Sequence, residues 1–162
     1  MSDSRYLAEV WGGCLGPALP DGTRLVVDPN QHIKPGDLCI IVLRKGKGPW
    51  DRFMREAWAG AMGGAEYPNV MGKLFLARAR VNNHEVLLLG QLYPPCVGVI
   101  DIDEVEALHG VVGAEGGNIK LCARDEDLDA FKLVAGFRGQ ATEPINPEWR
   151  PPVSPVSGAD AA

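Results

Sequence analysis

The sequence predicts a mainly β protein that carries one inserted amphipathic helix. Short runs of β-branched and other apolar residues alternate with turn signals built from Gly, Pro, Asn and Asp. Only one stretch repeats its apolar residues at helical spacing. Most connections between the apolar runs are too short to hold a helix, so we expect an antiparallel, meander-like sheet.

Five segments have the composition of strands. Turn signals at Asp21-Gly22, Asp28-Pro29 and 34–37 bound the first two of them. Asn82-Asn83 fits a tight hairpin between the third and the fourth. The predicted strands are 23–28, Leu38–Leu43, 73–81, 85–90 and 106–113.

Residues 50–62 are predicted to form the helix. Pro49 suits its first turn and Gly63-Gly64 can end it. The interpretation we favour is that the apolar stripe covers the sheet. A second interpretation is a partner-binding face, since Trp50, Phe53 and Trp58 are typical interface anchors. Shallow membrane attachment ranks last, because the polar face carries balanced charge.

The length of 162 residues suits one domain with short appendages. We expect a lead-in over 1–11 and a β domain over 12–140, with an insertion at 44–72 that contains the helix. The Pro-rich tail 141–162 is predicted to be extended or disordered, because its composition cannot build a core. A short helix over 125–133 is a further expectation.

Charge and cysteine usage disfavour several classes of function. The net charge of −5 and the scattered Lys and Arg offer no footprint for direct binding of nucleic acid. The N-terminus lacks the pattern of a signal peptide, and Leu38–Leu43 is too short to cross a bilayer, so we expect a cytoplasmic protein. Four dispersed cysteines and three dispersed histidines predict no metal, cofactor or disulfide framework.

The most specific pattern runs from Trp11 to Asp37. Gly12 and Cys14 precede a Pro-Asp-Gly turn, a strand that ends in Asp-Pro, and a Pro-Gly-Asp turn before the next strand. In this order the signals resemble the nucleophile segment of the S24/S26 peptidases, which include LexA-type repressor domains and signal peptidases. Lys73 and the strand His109–Gly113 extend the resemblance over about two-thirds of the chain.

The resemblance implies a LexA/signal-peptidase-like β-ribbon fold and a Cys14–Lys73 dyad. Cys14 stands where the family has its nucleophilic serine, and Lys73 where it has the lysine that acts as general base. Gly12 and Gly13 would shape the nucleophile loop. The chain departs from the family in having Leu15 for the usual methionine, in the insertion 44–72, and in having only 11 residues before Gly12, too few for a DNA-binding helix-turn-helix.

Two functions follow from the resemblance. The one we favour is a pseudo-peptidase that serves as a regulatory or binding module of bacterial or phage origin, in an SOS-related setting. It is favoured because sulfur in a site shaped for oxygen misplaces the attacking atom. The alternative is an active Cys/Lys-dyad peptidase that cleaves itself or a partner protein, since a thiol beside a lysine favours a reactive thiolate. The implied partners are a second copy of the chain or a LexA-type repressor domain.

A third hypothesis drops the family and treats the chain as an unrelated small β protein. The distance between Cys14 and Lys73 distinguishes it from the first two.

Overall fold

A computed structural model describes residues 4–11, 19–62, 66–92, 95–115, 145–149 and 151. Within them the chain forms one seven-stranded antiparallel sheet and one α-helix, which confirms the predicted mainly β fold with an inserted helix. The elements are β1 Tyr6–Glu9, β2 Arg24–Asp28, β3 Leu38–Leu43, α1 Gly48–Met62, β4 Val70–Val81, β5 His84–Leu92, β6 Pro95–Asp101, a 3₁₀ turn Ile102–Glu104, and β7 Val105–Ala114.

The strands follow the order β1-β2-β7-β3-β4-β5-β6 in the sheet. β3 to β6 form the expected meander, whereas β7 returns to pair with both β2 and β3. The predicted hairpin between β4 and β5 is confirmed: Val81 pairs with His84, and Asn82 and Asn83 adopt φ angles of 52° and 65°. Positive φ at both central residues is what a tight two-residue turn requires.

Two strands lie outside the five predicted segments. β1 has only four residues and falls in the stretch 1–11 that the sequence analysis treated as a lead-in, so the sheet begins before residue 12. β6 starts with a proline and contains Gly98, both of which weaken a strand signal. Because β1 and β6 are the edge strands of the sheet, they tolerate such weak signals.

Alternate residues of β4 supply two apolar clusters on opposite faces of the sheet. Met71 and Phe75 belong to the first cluster, which α1 covers. Leu74 and Leu76 belong to the second, which also contains Val10 and residues of β2. This alternation is the period of a strand that is buried on both faces.

The chain returns to the body at residues 145–149, a stretch that the composition had placed in an extended or disordered tail. Ile145 is 3% exposed, and it exchanges backbone hydrogen bonds of 2.7 and 2.8 Å with Ile33. Trp149 packs against the first apolar cluster, with the Arg78 guanidinium 5.7 Å from its ring centroid. Ile145 and Trp149 therefore belong to the packed body, which the composition of the tail did not indicate. The predicted helix 125–133 and the other parts of the tail lie outside the described residues.

None of the helical residues described by the structure forms a segment long and apolar enough to cross a membrane.

A buried carboxylate fixes the start of α1. Glu104 is 6% exposed, and its Oε1 accepts a hydrogen bond of 3.1 Å from the backbone N–H of Trp50, in the first turn of the helix. The other oxygen accepts from the backbone N–H of Asp101 at 3.3 Å. Glu104 belongs to an acidic run with Asp101, Asp103 and Glu106, a composition typical of a solvated surface. Its carboxylate is nevertheless buried, because it accepts a hydrogen bond from an N–H group at the helix start that has no partner within the helix.

We predict that Gly48→Ala destabilises the protein by about 2 kcal/mol or more. Gly48 has a φ of 75°, and a Cβ there would overlap the carboxylate of Glu104 and displace it from Trp50. The matched control is Gly60→Ala in the same helix, where a Cβ meets nothing within 4 Å. This variant should be stabilised by up to about 1 kcal/mol. Denaturant unfolding measures both changes, and equal stabilities of the two variants would contradict the role of Glu104.

Candidate functional site

A cavity of about 870 Å³ lies between α1, β1 and the first half of β4. We call it the groove. Its wall is mostly apolar and rich in aromatic side chains, and its size is in the range of sites that bind small ligands or peptide segments. The aromatic residues that line it are Tyr6, Trp11, Trp50, Phe53 and Trp58.

Helix α1 forms one wall through its predicted apolar stripe. Trp50 donates from Nε1 to the carbonyl oxygen of Val99 at 2.8 Å and lies against Gly98, so it also covers the β6 edge. Trp58 packs on Trp11 with ring centroids 5.3 Å apart. Phe53 is different, because 62% of it is exposed at the rim of the groove. The helix thus covers the sheet, and the partner-binding face stays a prediction.

Strand β1 forms the opposite wall. Tyr6 is tied to β7 by a 2.7 Å hydrogen bond between its hydroxyl and Nδ1 of His109. The two rings meet edge to face, 5.7 Å apart. Burial raises the pKa of Tyr6, so this hydroxyl stays protonated over the ordinary pH range. The short edge strand is therefore held in place by a side chain as well as by its pairing with β2.

Lys73 lies in β4 and lines the groove. Its Nζ donates to Oε1 of Gln91 on β5 at 3.0 Å. On the other side its carbonyl oxygen accepts from the thiol of Cys39, at 3.3 Å. Neither contact was evident from the sequence, because Gln91 and Cys39 reach Lys73 only through the pairing of β4 with β5 and β3.

Gly12, Gly13 and Cys14 lie outside the described residues, so the Cys14–Lys73 dyad stays a prediction. The structure does describe the residue before this segment. Trp11 lines the same groove as Lys73 and is packed on Trp58. Cys14 is three residues further along the chain, which is a reach of about 10 Å at most.

Two other cysteines are described, and they differ in accessibility. Cys39 is fully buried, and burial followed by the nearby Asp37 carboxylate raises its pKa to about 12. A thiol in that state is a poor nucleophile at neutral pH. Cys96 is exposed on β6 and does not line the groove.

A second polar cluster, away from the groove, brings together His84, Asp101 and Asp103. Nε2 of His84 lies 2.5 Å from Asp101 Oδ1 and 3.6 Å from Asp103 Oδ2. One ligand atom from each residue lies within 4.8 Å of the others, a spacing that could hold a divalent cation. Asp101 is already engaged, because its Oδ1 accepts from the backbone N–H of Asp103 at 2.8 Å.

The sequence gives little indication of this cluster, because His84 is separated from Asp101 and Asp103 by 17 or more positions along the chain. His84 comes next to Asp101 only when β5 pairs with β6, where Val86 lies opposite Asp101. The Asp-Ile-Asp sequence that begins at the last residue of β6 is a local signal for it.

Comparison of the sequence with models of known protein families finds none that matches. Membership of the S24/S26 peptidases therefore stays a prediction based on the order of the turn signals.

We predict that the His84–Asp101 pair makes stability depend on pH. The hydrogen bond from His84 to Asp101 raises the pKa of the imidazole, with smaller contributions from neighbouring carboxylates. The pKa of His84 is higher in the folded state than in the unfolded chain, where it is about 6.5, so the protonated imidazole stabilises the folded protein. This stabilisation is complete at pH values below the unfolded-state pKa, and it is lost as the pH rises through the folded-state pKa.

Unfolding free energies measured between pH 5.5 and 9 should therefore show wild type losing its advantage over His84→Gln as the pH rises. This range lies above the ordinary pKa of an exposed carboxyl group. The exposed His32→Gln is the matched control. A wild-type advantage over His84→Gln that does not change with pH would contradict the assignment.

Proposed function

We propose that this protein is a catalytically silent S24/S26 peptidase-like module whose groove binds an extended apolar peptide. The observation that carries the proposal is the shared position of Trp11 and Lys73: both line one apolar groove. In the family that the sequence resembles, the segment after Trp11 and the lysine that corresponds to Lys73 supply the two halves of the site. A regulatory role in a bacterium or phage is the setting that the same resemblance implies.

The walls of the groove suit a peptide. Among the strands that the structure describes, β1 lies at an edge, so one side of its backbone has no partner strand among them. An extended peptide can add a strand to such an edge, while its alternate side chains enter an apolar pocket. Trp50, Met54 and Trp58 provide that pocket from α1.

Binding without catalysis is the function we favour, for a chemical reason. The longer bonds and larger radius of sulfur at Cys14 misplace the attacking atom, and an error of about 1 Å costs about a hundredfold in rate. The hydrogen bond from Lys73 to Gln91 orders the ammonium, which serves recognition of a ligand as well as it serves catalysis. A fold can thus keep a substrate groove after its reaction is lost.

We predict that Ala57→Lys weakens peptide binding at least about tenfold. Ala57 lines the groove from α1, and a lysine there fills the space with a charged side chain. The probe is an equimolar mixture of acetylated, carboxyl-amidated hexapeptides composed of Ala, Val, Leu and Phe. Retention by the protein is measured by affinity selection and mass spectrometry.

Ala59→Lys is the matched control, because Ala59 is exposed on the same helix and does not line the groove. It should retain the wild-type selection. The proposed function is wrong if wild type retains no peptide from either mixture, the amidated one or the same peptides with free carboxyl ends. Equal retention by Ala57→Lys and wild type would show that the groove is not the binding site.

The alternative function is an active Cys/Lys-dyad peptidase, which the short reach from Trp11 to Cys14 favours. It predicts that Cys14 is alkylated by iodoacetamide well below the ordinary thiol pKa of about 8.5, and that Lys73→Met abolishes this reactivity. For a silent module we expect an ordinary pH profile that Lys73→Met leaves unchanged. Peptide mapping separates Cys14 from Cys96, and Lys45→Met controls for the loss of one positive charge.

A low-pH reactivity of Cys14 that depends on Lys73 and not on Lys45 would replace the silent module with the enzyme. An ordinary profile in all three proteins would exclude the dyad.

A further inference from the structure

The charge in the groove is sparse and uneven. Of the described residues that line it, two carry charge, Glu9 and Lys73. Glu9 is exposed at the end of the edge strand β1. Lys73 is half-buried in the interior of the sheet, and it is the only cation among these lining residues.

Lys73 and Gln91 form a polar pair in an apolar neighbourhood. On β4, Lys73 shares its face with Met71 and Phe75, which belong to the cluster that α1 covers. On β5, Gln91 shares its face with Leu87 and Leu89 of the same cluster. The strand period therefore puts both polar side chains under the helix, and the hydrogen bond of 3.0 Å holds Nζ there.

An ammonium group in an apolar groove binds an anionic ligand in preference to a neutral one. An internal stretch of an apolar peptide would bring only neutral groups to Lys73 and would remove water from its charge, which is costly. A carboxylate would instead form a charge-assisted hydrogen bond with Nζ, the stronger kind. An ammonium has three N–H donors, of which Gln91 takes one.

We infer that the groove takes the carboxyl-terminal end of an apolar peptide, with the terminal carboxylate on Nζ of Lys73. This inference rests on the proposed function, because it assumes that the groove binds peptides. Gln91 is a positioning residue that directs Nζ, and the last apolar side chains of the peptide pack between β1 and the aromatic residues of α1. The charge of Lys73 is complementary to a chain end and has no such complement in an internal segment.

The test compares two forms of one peptide mixture. Acetylated hexapeptides of Ala, Val, Leu and Phe are prepared with a free carboxyl end and with a carboxyl amide, and both are offered to the full chain. We expect the acids to bind about tenfold more tightly than the amides, the difference that one additional charge-assisted contact supplies. Lys73→Met should remove this preference, and Lys45→Met, at an exposed turn position, should keep it.

Each other outcome overturns a different statement. Equal binding of acids and amides removes the carboxylate anchor and leaves the peptide-binding function intact. A preference for acids that survives in Lys73→Met removes Lys73 as the anchor. Binding of neither form overturns the proposed function itself. Decanoate is offered as a competitor of the peptide acids. If it displaces them and binds more tightly than they do, the occupant of the groove is a fatty carboxylate and not a peptide.

Lys73→Met is expected to fold, because methionine is of similar length and suits an apolar wall. Should it fail, the comparison of acids with amides on wild type still decides whether the terminal carboxylate is recognised, and Gln91→Met then tests the involvement of Lys73. Gln91→Met gives a second check: it should reduce the ratio of acid binding to amide binding, because Nζ loses the acceptor that directs it.

Discussion

The groove depends on the hydrogen bond between the carboxylate of Glu104 and the first turn of α1. This carboxylate comes from the turn before β7, more than fifty residues after the helix begins, and it is held inside by the backbone of Asp101 as well. Gly48 permits the contact because a residue with a side chain would occupy the space of the carboxylate. Without this cap the start of the helix would lose one of the contacts that position it over the sheet, and the wall of the groove that begins at Trp50 would be less well defined.

The two walls are fixed in different ways, and this shapes what the groove can bind. α1 is fastened through a cap at its start and through Trp50 on the β6 edge, and its inner face is apolar. β1 is fastened by a single neighbouring strand and by the bond from Tyr6 to His109. An edge strand beside a rigid aromatic wall offers backbone groups on one side and apolar surface on the other, which is the combination that extended peptides use.

Lys73 is assigned a role both by the family resemblance and by its position in the groove. The resemblance assigns it to proton transfer, whereas its surroundings are those of a fixed cation in an apolar site. Both interpretations need the ordered ammonium that Gln91 provides, so the hydrogen bond itself does not choose between them. The difference lies in the partner group, a thiol in one case and a carboxylate in the other. The silent module is favoured because the carboxylate needs no precise alignment with a reacting carbon.

The sequence by itself determined the elements whose signals are local. Alternation and turn residues locate β2 to β5 and β7, two consecutive asparagines define the β4–β5 hairpin, and a helical period locates α1, because each of these patterns lies within one short stretch. The family resemblance singled out Lys73 in the same way, from the turn signals around it. A weak edge strand such as β1, or β6 with its proline and glycine, has no comparable local pattern.

Only the tertiary structure decided which distant groups meet. β7 lies between β2 and β3, the strand partners bring Gln91 to Lys73 and His84 to Asp101, and the start of α1 draws Glu104 out of a run that otherwise looks solvated. These contacts join residues 17 to 54 positions apart. They are set by the pairing of whole strands and by the need to satisfy buried polar groups, and neither leaves a periodic trace in the sequence.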